Sequence, residues 1–166
     1  MIKVLHLDEN HPLLLEEFEK IGFENHKDYT SPREVILDKI GTYQGLILRS
    51  RLPVDKAFLD RADNLRFIGR VGAGLENIDV AYAKEKGIFL AAAPEGNRDA
   101  VGEHTLGMLL ALFNKLCTAN AEVREGVWRR EANRGWEIGG KTVGIIGYGN
   151  MGKAFAQRLR GFGAEV

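Results

Sequence analysis

The chain of 166 residues predicts an α/β fold, a mainly parallel sheet with helices on both faces. Short apolar, β-branched runs alternate with helical patterns through the first half. The alternation breaks at Ala91-Ala92-Ala93-Pro94-Glu95-Gly96-Asn97, and a long apolar helical stretch follows. Near the end, a glycine-rich turn stands between a β-branched run and another helical pattern.

Taken in order, the opening run Ile2–Leu7 reads as a strand followed by charge, and Pro12–Ile21 as a helix. A weaker strand is expected near Lys27–Tyr29. The helix Pro32–Ile40 has a start signal, with Ser31 as N-cap, Pro32 at the first helical position and Glu34 three residues after the cap. Strands Gly45–Leu48, Arg66–Val71 and Gly87–Leu90 then alternate with helices Asp55–Ala62 and Val80–Lys86. Gly22, Gly41 and Gly87 stand where left-handed helix stops are wanted. The stretch from about Asp99 to Val123 reads as one long helix, apolar on nearly every face around Leu106–Phe113 and therefore expected to be buried between two masses of protein. Two domains are expected: residues 1–97 as a flavodoxin-like substrate domain, and 98–166 as the crossover helix and the beginning of a dinucleotide-binding domain.

Composition narrows the partners. The chain is 45% hydrophobic and 28% charged, with 23 basic and 23 acidic residues, so nothing draws it generally toward nucleic acid or an anionic membrane. A small-molecule partner is expected. Its single cysteine, Cys117, excludes an internal disulfide framework and a Cys-rich metal site, and reads as a small buried core residue in a reducing compartment. The start lacks a basic segment, a long apolar segment and a cleavage site, which makes the cytoplasm the expected location.

The turn Gly147-Tyr148-Gly149-Asn150-Met151-Gly152 follows the predicted strand Thr142–Ile146 and opens a helix at Lys153–Leu159. In that context G-x-G-x-x-G holds a dinucleotide: Gly147 permits the tight turn, Gly149 lets the backbone approach a pyrophosphate, and Gly152 lets the helix pack on the strand. The helix start offers free N–H groups to the phosphates. A ribose-binding acid is expected roughly 20 residues after such a motif begins, at the far end of the next strand. Glu165 sits too early for that role and reads as a strand-start charge, so the dinucleotide domain is expected to be truncated at Val166.

Three segments in their order resemble the D-isomer-specific 2-hydroxyacid dehydrogenases. They are Gly69-Arg70-Val71-Gly72-Ala73-Gly74-Leu75-Glu76-Asn77-Ile78-Asp79, then Pro94-Glu95-Gly96-Asn97 leading to Glu103-His104-Thr105, and Gly140-Lys141-Thr142-Val143-Gly144-Ile145-Ile146-Gly147-Tyr148-Gly149. The resemblance implies a Rossmann domain and an NAD-dependent oxidoreductase, with NADP left open, acting on a small 2-hydroxy or 2-keto acid. It is closest to members that oxidise 3-phosphoglycerate, a step of serine biosynthesis. It further implies that Gly147, Tyr148, Gly149, Asn150, Met151 and Gly152 bind the cofactor, that Ala73 and Gly74 amides hold the substrate carboxylate, and that Asn97 shapes the substrate cleft. Arg49 and Arg70 match positions associated with a substrate phosphate. The catalytic His, Glu and Arg are expected beyond Val166, leaving no catalytic residue within this chain and an inactive fragment.

Each of these has a plainer alternative. On its residues alone, Val71-Gly72-Ala73-Gly74 follows a strand's carboxyl end, where its consecutive N–H groups suit an anion, or it is a Gly-rich connection. Arg49, Arg51 and Arg70 either converge beside it or are solvated strand-end charges. The basic segment Arg124–Trp136, with Trp128 and Trp136, reads as a homodimer contact, a solvated loop or, least of all, a nucleic-acid patch. Glu103 and His104 are adjacent on a helix and do not face each other; His6, His11 and His26 read as structural or exposed. Rival functions are a glyoxylate/hydroxypyruvate reductase and a dinucleotide-sensing, corepressor-like binding protein.

Overall fold

Five parallel strands organise the first 94 residues in the computed structural model, which describes residues 1–166. They are β1 (Ile2–His6), β2 (Phe23–Lys27), β3 (Gly45–Leu48), β4 (Phe67–Arg70) and β5 (Phe89–Ala92), in the spatial order β2-β1-β3-β4-β5. Parallel pairing with crossovers gives the flavodoxin-like order, in which the chain reverses direction across the sheet between β1 and β3. Here Val4, Leu5 and His6 align with Gly45, Leu46 and Ile47.

Period-two alternation divides the strand residues between two faces. Leu5, Leu7, Leu46, Leu48 and Ile68 pack in one buried cluster with residues of α2 (Arg33–Lys39), α3 (Lys56–Asp60) and α4 (Val80–Glu85), including Ile36, Phe58, Leu59 and Ala83. The opposite face carries α1 (Pro12–Lys20), whose Phe18 ring stands 6.0 Å from His6, 5.5 Å from Phe23 and 6.3 Å from Phe67. Only α1 covers that face in this unit. Beside it an apolar cavity of about 490 Å³ lies along Phe67, Phe89 and Ala91, and Phe89 is 69% exposed.

Local chemistry explains where the elements start and stop, and where the expectations err. Asp55 and Asp79 cap α3 and α4 by accepting from the N–H groups of Phe58 and Tyr82. Ser31 is not a cap: Pro32 takes that position without a side-chain bond, and Ser31 belongs to the turn before it, its N–H held by Asp28 Oδ1 at 2.9 Å. Gly22 (φ +81°) and Gly87 (φ +73°) are left-handed stops, but Gly41 lies in a 3-10 turn and instead admits the close approach of Arg61 O. Because the stop at Gly87 and the bond from Ile88 N–H to Ala83 O still belong to the end of α4, β5 begins two residues later than Gly87–Leu90 predicts. The weak strand expected at Lys27–Tyr29 is displaced to Phe23–Lys27, since Asp28 begins the turn.

Residues 95–166 form the second unit. The expected long helix is two, α5 (Arg98–Phe113) and α6 (Leu116–Arg124), broken at Lys115 in the left-handed region (φ 51°). The loop before Lys141 holds this break: Lys115 Nζ donates to Ala132 O and Trp136 N–H to Phe113 O. Nor is the pair buried. Gly102 is the only fully buried residue of α5 and α6 has none, while Met108, Leu112 and Cys117 are exposed, so the expectation of a core cysteine fails as well. What α5 does cover is α7 (Asn150–Leu159), with Gly102 admitting the Ala154 backbone and Arg158 donating to Asp99 and Glu103.

Candidate functional site

Parallel strands place all their carboxyl ends on one edge, and the crevice for a ligand opens where the chain direction reverses. In the first unit that point lies between β1 and β3, and the residues just beyond them are Asp8 and Arg49. They touch: Arg49 N–H donates to Asp8 Oδ2 at 2.6 Å. At the end of β4, the Arg70 side chain turns back and its Nε donates to Arg49 O at 3.2 Å, with Asn77 Nδ2 at 3.4 Å from the same carbonyl. The Arg70 side chain therefore meets the backbone of Arg49 at the switch point, and neither arginine forms an ion pair. Arg51 does not join them. Its guanidinium donates to the carbonyls of Asp28 and Ser31, which makes it a clamp on the loop after β2.

The loop Val71–Gly74 exposes fewer N–H groups than its composition suggests. Val71 N–H donates to Leu48 O and Gly72 N–H to Arg70 O, both at 2.9 Å. Only the Ala73 and Gly74 amides have no partner in the protein, and two successive amides suit one carboxylate or phosphate oxygen. The loop is held in place from below, where Ala93 N–H donates to Gly72 O and Asn77 Nδ2 also reaches Leu52 O. Above Gly72 lies the Arg70 guanidinium: a Cβ there would fall 1.7 Å from one of its nitrogens.

In the second unit the glycine-rich turn has separable geometry at each glycine. Gly147 adopts φ +93°, a conformation that only glycine takes without strain. A Cβ on Gly152 would fall 2.2 Å from Gly147 O and 3.3 Å from Ile145 Cγ2, so the helix lies against the turn. Gly149 is the N-cap of α7, with nothing within 4 Å of its would-be Cβ. No side chain caps α7, and the N–H groups of its first turn, from Asn150 and Met151, face outward from the helix start. Tyr148 is exposed. These features fit a dinucleotide pyrophosphate: a tight turn, an open backbone approach and uncapped helix donors. The preceding run is less regular than predicted. Thr142–Ile146 is no full strand but a single parallel bridge, Thr142 with Glu165, because the ladder consists only of Val143 N–H to Glu165 O and Glu165 N–H to Lys141 O. Asn97 stands at the start of α5 and makes no cap bond with its side chain.

Glu103 and His104 do not pair, as helix geometry requires; Glu103 accepts from Arg158 instead. Sequence reasoning missed Asp8, Glu76 and Asn77 at the edge. The position of Asp8, the first charge after β1, was the signal for it; Asn77 acts through backbone carbonyls, which no residue pattern announces.

A family model described as D-isomer specific 2-hydroxyacid dehydrogenase, catalytic domain, matches residues 4–163. D-3-phosphoglycerate dehydrogenase of Methanocaldococcus jannaschii is 35% identical over 166 residues, 100% of this chain and 32% of that protein. The chain spans about a third or less of the length of the first curated relatives it matches. Among solved structures, the PH0520 protein of Pyrococcus horikoshii is 30% identical with a TM-score of 0.86, over 100% of this chain and 51% of that one. A glyoxylate reductase of Paecilomyes thermophila is 25% identical with a TM-score of 0.85, over 98% of this chain and 53% of that one.

Proposed function

The chain belongs to the D-isomer-specific 2-hydroxyacid dehydrogenase family, and from that membership we propose that it supplies the substrate-binding domain and the pyrophosphate-binding turn of a nicotinamide-dependent enzyme acting on 3-phosphoglycerate. The observation that carries the substrate reading is the Arg70 side chain, bonded to the Arg49 backbone carbonyl and, like the Arg49 side chain, free of ion pairs, beside the partnerless amides of Ala73 and Gly74. Two amides hold a carboxylate, and two guanidinium groups match the oxygens of a phosphate on the same molecule. Asn97 is a further substrate-side residue in this reading. The turn Gly147–Gly152 with Tyr148, Asn150 and Met151 holds the pyrophosphate of NAD or NADP. When bound, the nicotinamide exchanges a hydride with the substrate carbon. This chain's own residues bind and orient; none of them is assigned the hydroxyl proton, and the 166-residue polypeptide alone is expected to bind without turnover. A second copy of the chain is proposed to cover α5 and α6, and the cytoplasm is the proposed location.

Titration with 3-phosphoglycerate and with glycerate, read from the Ala73 and Gly74 amide resonances, tests the substrate. Arg49→Ala should weaken phosphoglycerate about tenfold or more, the scale of one charged hydrogen bond, and glycerate by much less. Equal losses would favour unphosphorylated keto acids, the reading to which the glyoxylate reductase relative lends support.

A further inference from the structure

Arg49 carries a cation that no other side chain holds. Its guanidinium makes neither an ion pair nor a hydrogen bond within the protein, so its direction follows from the peptide that bears it. That peptide lies past the sheet: β3 ends at Leu48, the last of its residues paired with β4. Three side chains hold it instead. Asp8 Oδ2 accepts its N–H at 2.6 Å, and its carbonyl accepts from Arg70 Nε at 3.2 Å and from Asn77 Nδ2 at 3.4 Å.

Asn77 is anchored independently of its side chain, because its carbonyl accepts from Val54 N–H at 2.8 Å and its neighbour Ile78 forms a parallel bridge with Val54. From that anchor the amide nitrogen reaches back to Arg49 O and, at 3.3 Å, to Leu52 O. Both are acceptors only, so the nitrogen faces them and Oδ1 is left buried without a partner. A bare buried oxygen costs stability and offsets what two long bonds contribute. The amide's effect thus falls on the placing of one peptide rather than on the stability of the fold.

We propose that Asn77 is a positioning residue, which by holding the Arg49 carbonyl fixes where the Arg49 guanidinium stands for the phosphate end of a substrate. The inference rests on the reading of Arg49 as a phosphate ligand. The carboxylate end is set separately, since the loop that bears the Ala73 and Gly74 amides is tied by Val71 N–H to Leu48 O and by Ala93 N–H to Gly72 O. Without the Asn77 amide the Arg49 peptide turns more freely and its long side chain spreads over more positions. The two loop amides stay in place.

Titration of the purified chain with 3-phosphoglycerate and with glycerate, read from the Ala73 and Gly74 amide resonances, tests this in Asn77→Ala, Arg49→Ala and the double variant. Asn77→Ala should weaken phosphoglycerate about fivefold and leave glycerate within twofold, and the double variant should bind phosphoglycerate as Arg49→Ala alone does. Arg49→Ala keeps the peptide and its bonds, so the cycle isolates the guanidinium through which Asn77 acts. Additive losses, equal losses for the two ligands, or no loss at all in Asn77→Ala would each overturn the proposal. Asn77→Leu fills the same space without donors and should show the same split; if neither variant folds, the amide holds the fold and does not aim the arginine. Should Arg49→Ala itself leave phosphoglycerate unweakened, the phosphate reading fails and the positioning role falls with it.

Discussion

His6 is the one polar side chain buried in the core, at 0% exposure on the α1 face of the sheet. Asn25 uses its amide nitrogen on Leu15 O, so its oxygen accepts from His6 Nε2 at 2.8 Å and the other ring nitrogen is left bare and without a partner. Burial holds the imidazole pKa below its ordinary value; the Asn25 bond opposes this and Lys27 adds to it. A lowered folded-state pKa means that the unfolded chain takes up the proton first, so stability is full above about pH 6.5 and falls as pH drops below it, by at most about 1.4 kcal/mol per pH unit. Urea midpoints measured from pH 7.5 to 5 should show that slope in the wild type and a flatter one in His6→Leu; parallel slopes would refute it. Asp28 acts in a lower window. Burial raises its carboxyl, but the Lys39 ammonium and the Ser31 N–H outweigh burial and hold it well below the usual carboxylate range. Its contribution is complete above about pH 4 and is lost as pH falls further, and Asp28→Asn should cost about 2 kcal/mol at pH 7. Neither role was legible in the sequence. A lone histidine on a strand is structural or exposed depending on a partner 19 residues away, and the Asp28 turn is recognised only through the donors it gathers.

At the level of elements, the alternation of strands and helices was legible, because a parallel sheet covered by helices writes its burial as periodic apolar runs. Boundaries were less so wherever a backbone bond overrides the pattern: β5 starts late because Ile88 is still tied to α4, and the 99–123 helix breaks where a loop from 132–136 docks on Phe113 and Lys115. The glycine-rich turn was legible at two of its three glycines, since Gly147 takes a left-handed φ and Gly152 admits the Gly147 carbonyl, while nothing within the protein demands glycine at 149. That separation is testable. Gly152→Val places a side chain 2.2 Å from Gly147 O, which must displace α7 and should cost about 1–3 kcal/mol, lowering the urea midpoint. Gly149 has an ordinary backbone (φ −83°) and open space, so Gly149→Ala should fold like the wild type and yet weaken NADH in a fluorescence titration. An unchanged affinity in a well-folded Gly149→Ala would show that no ligand backbone approaches there, and the pyrophosphate reading would lose its support.

Considered as a whole molecule, the chain leaves two apolar surfaces uncovered within its two units. One is the sheet face beside α1, where Phe89 lies open; the other runs along α5 and α6 through Met108, Leu112 and Leu116, with Trp128 and Trp136 also exposed. Apolarity all round Leu106–Phe113 predicts a burial that the structure does not show, because a single chain's pattern cannot say what, if anything, lies against it. Exposed apolar side chains grouped on one helix pair are the usual basis of an interaction site. The groove along Met108, Leu112, Lys115 and Cys117 suits a second copy, because a two-fold pairing sets apolar surface on apolar surface without any new chemistry. Sedimentation equilibrium at micromolar concentration should therefore report a dimer or larger species. Leu112→Asp should shift it toward monomer without loss of helical signal, since Leu112 contributes little to its own unit at 73% exposure. Cys117, exposed in the same groove, provides a second readout: thiol labelling should be slow in the associated wild type and fast in Leu112→Asp. A wild type that sediments as a monomer and labels as fast as the variant would mean that this surface tolerates water, and the assembly proposed for α5 and α6 would be wrong.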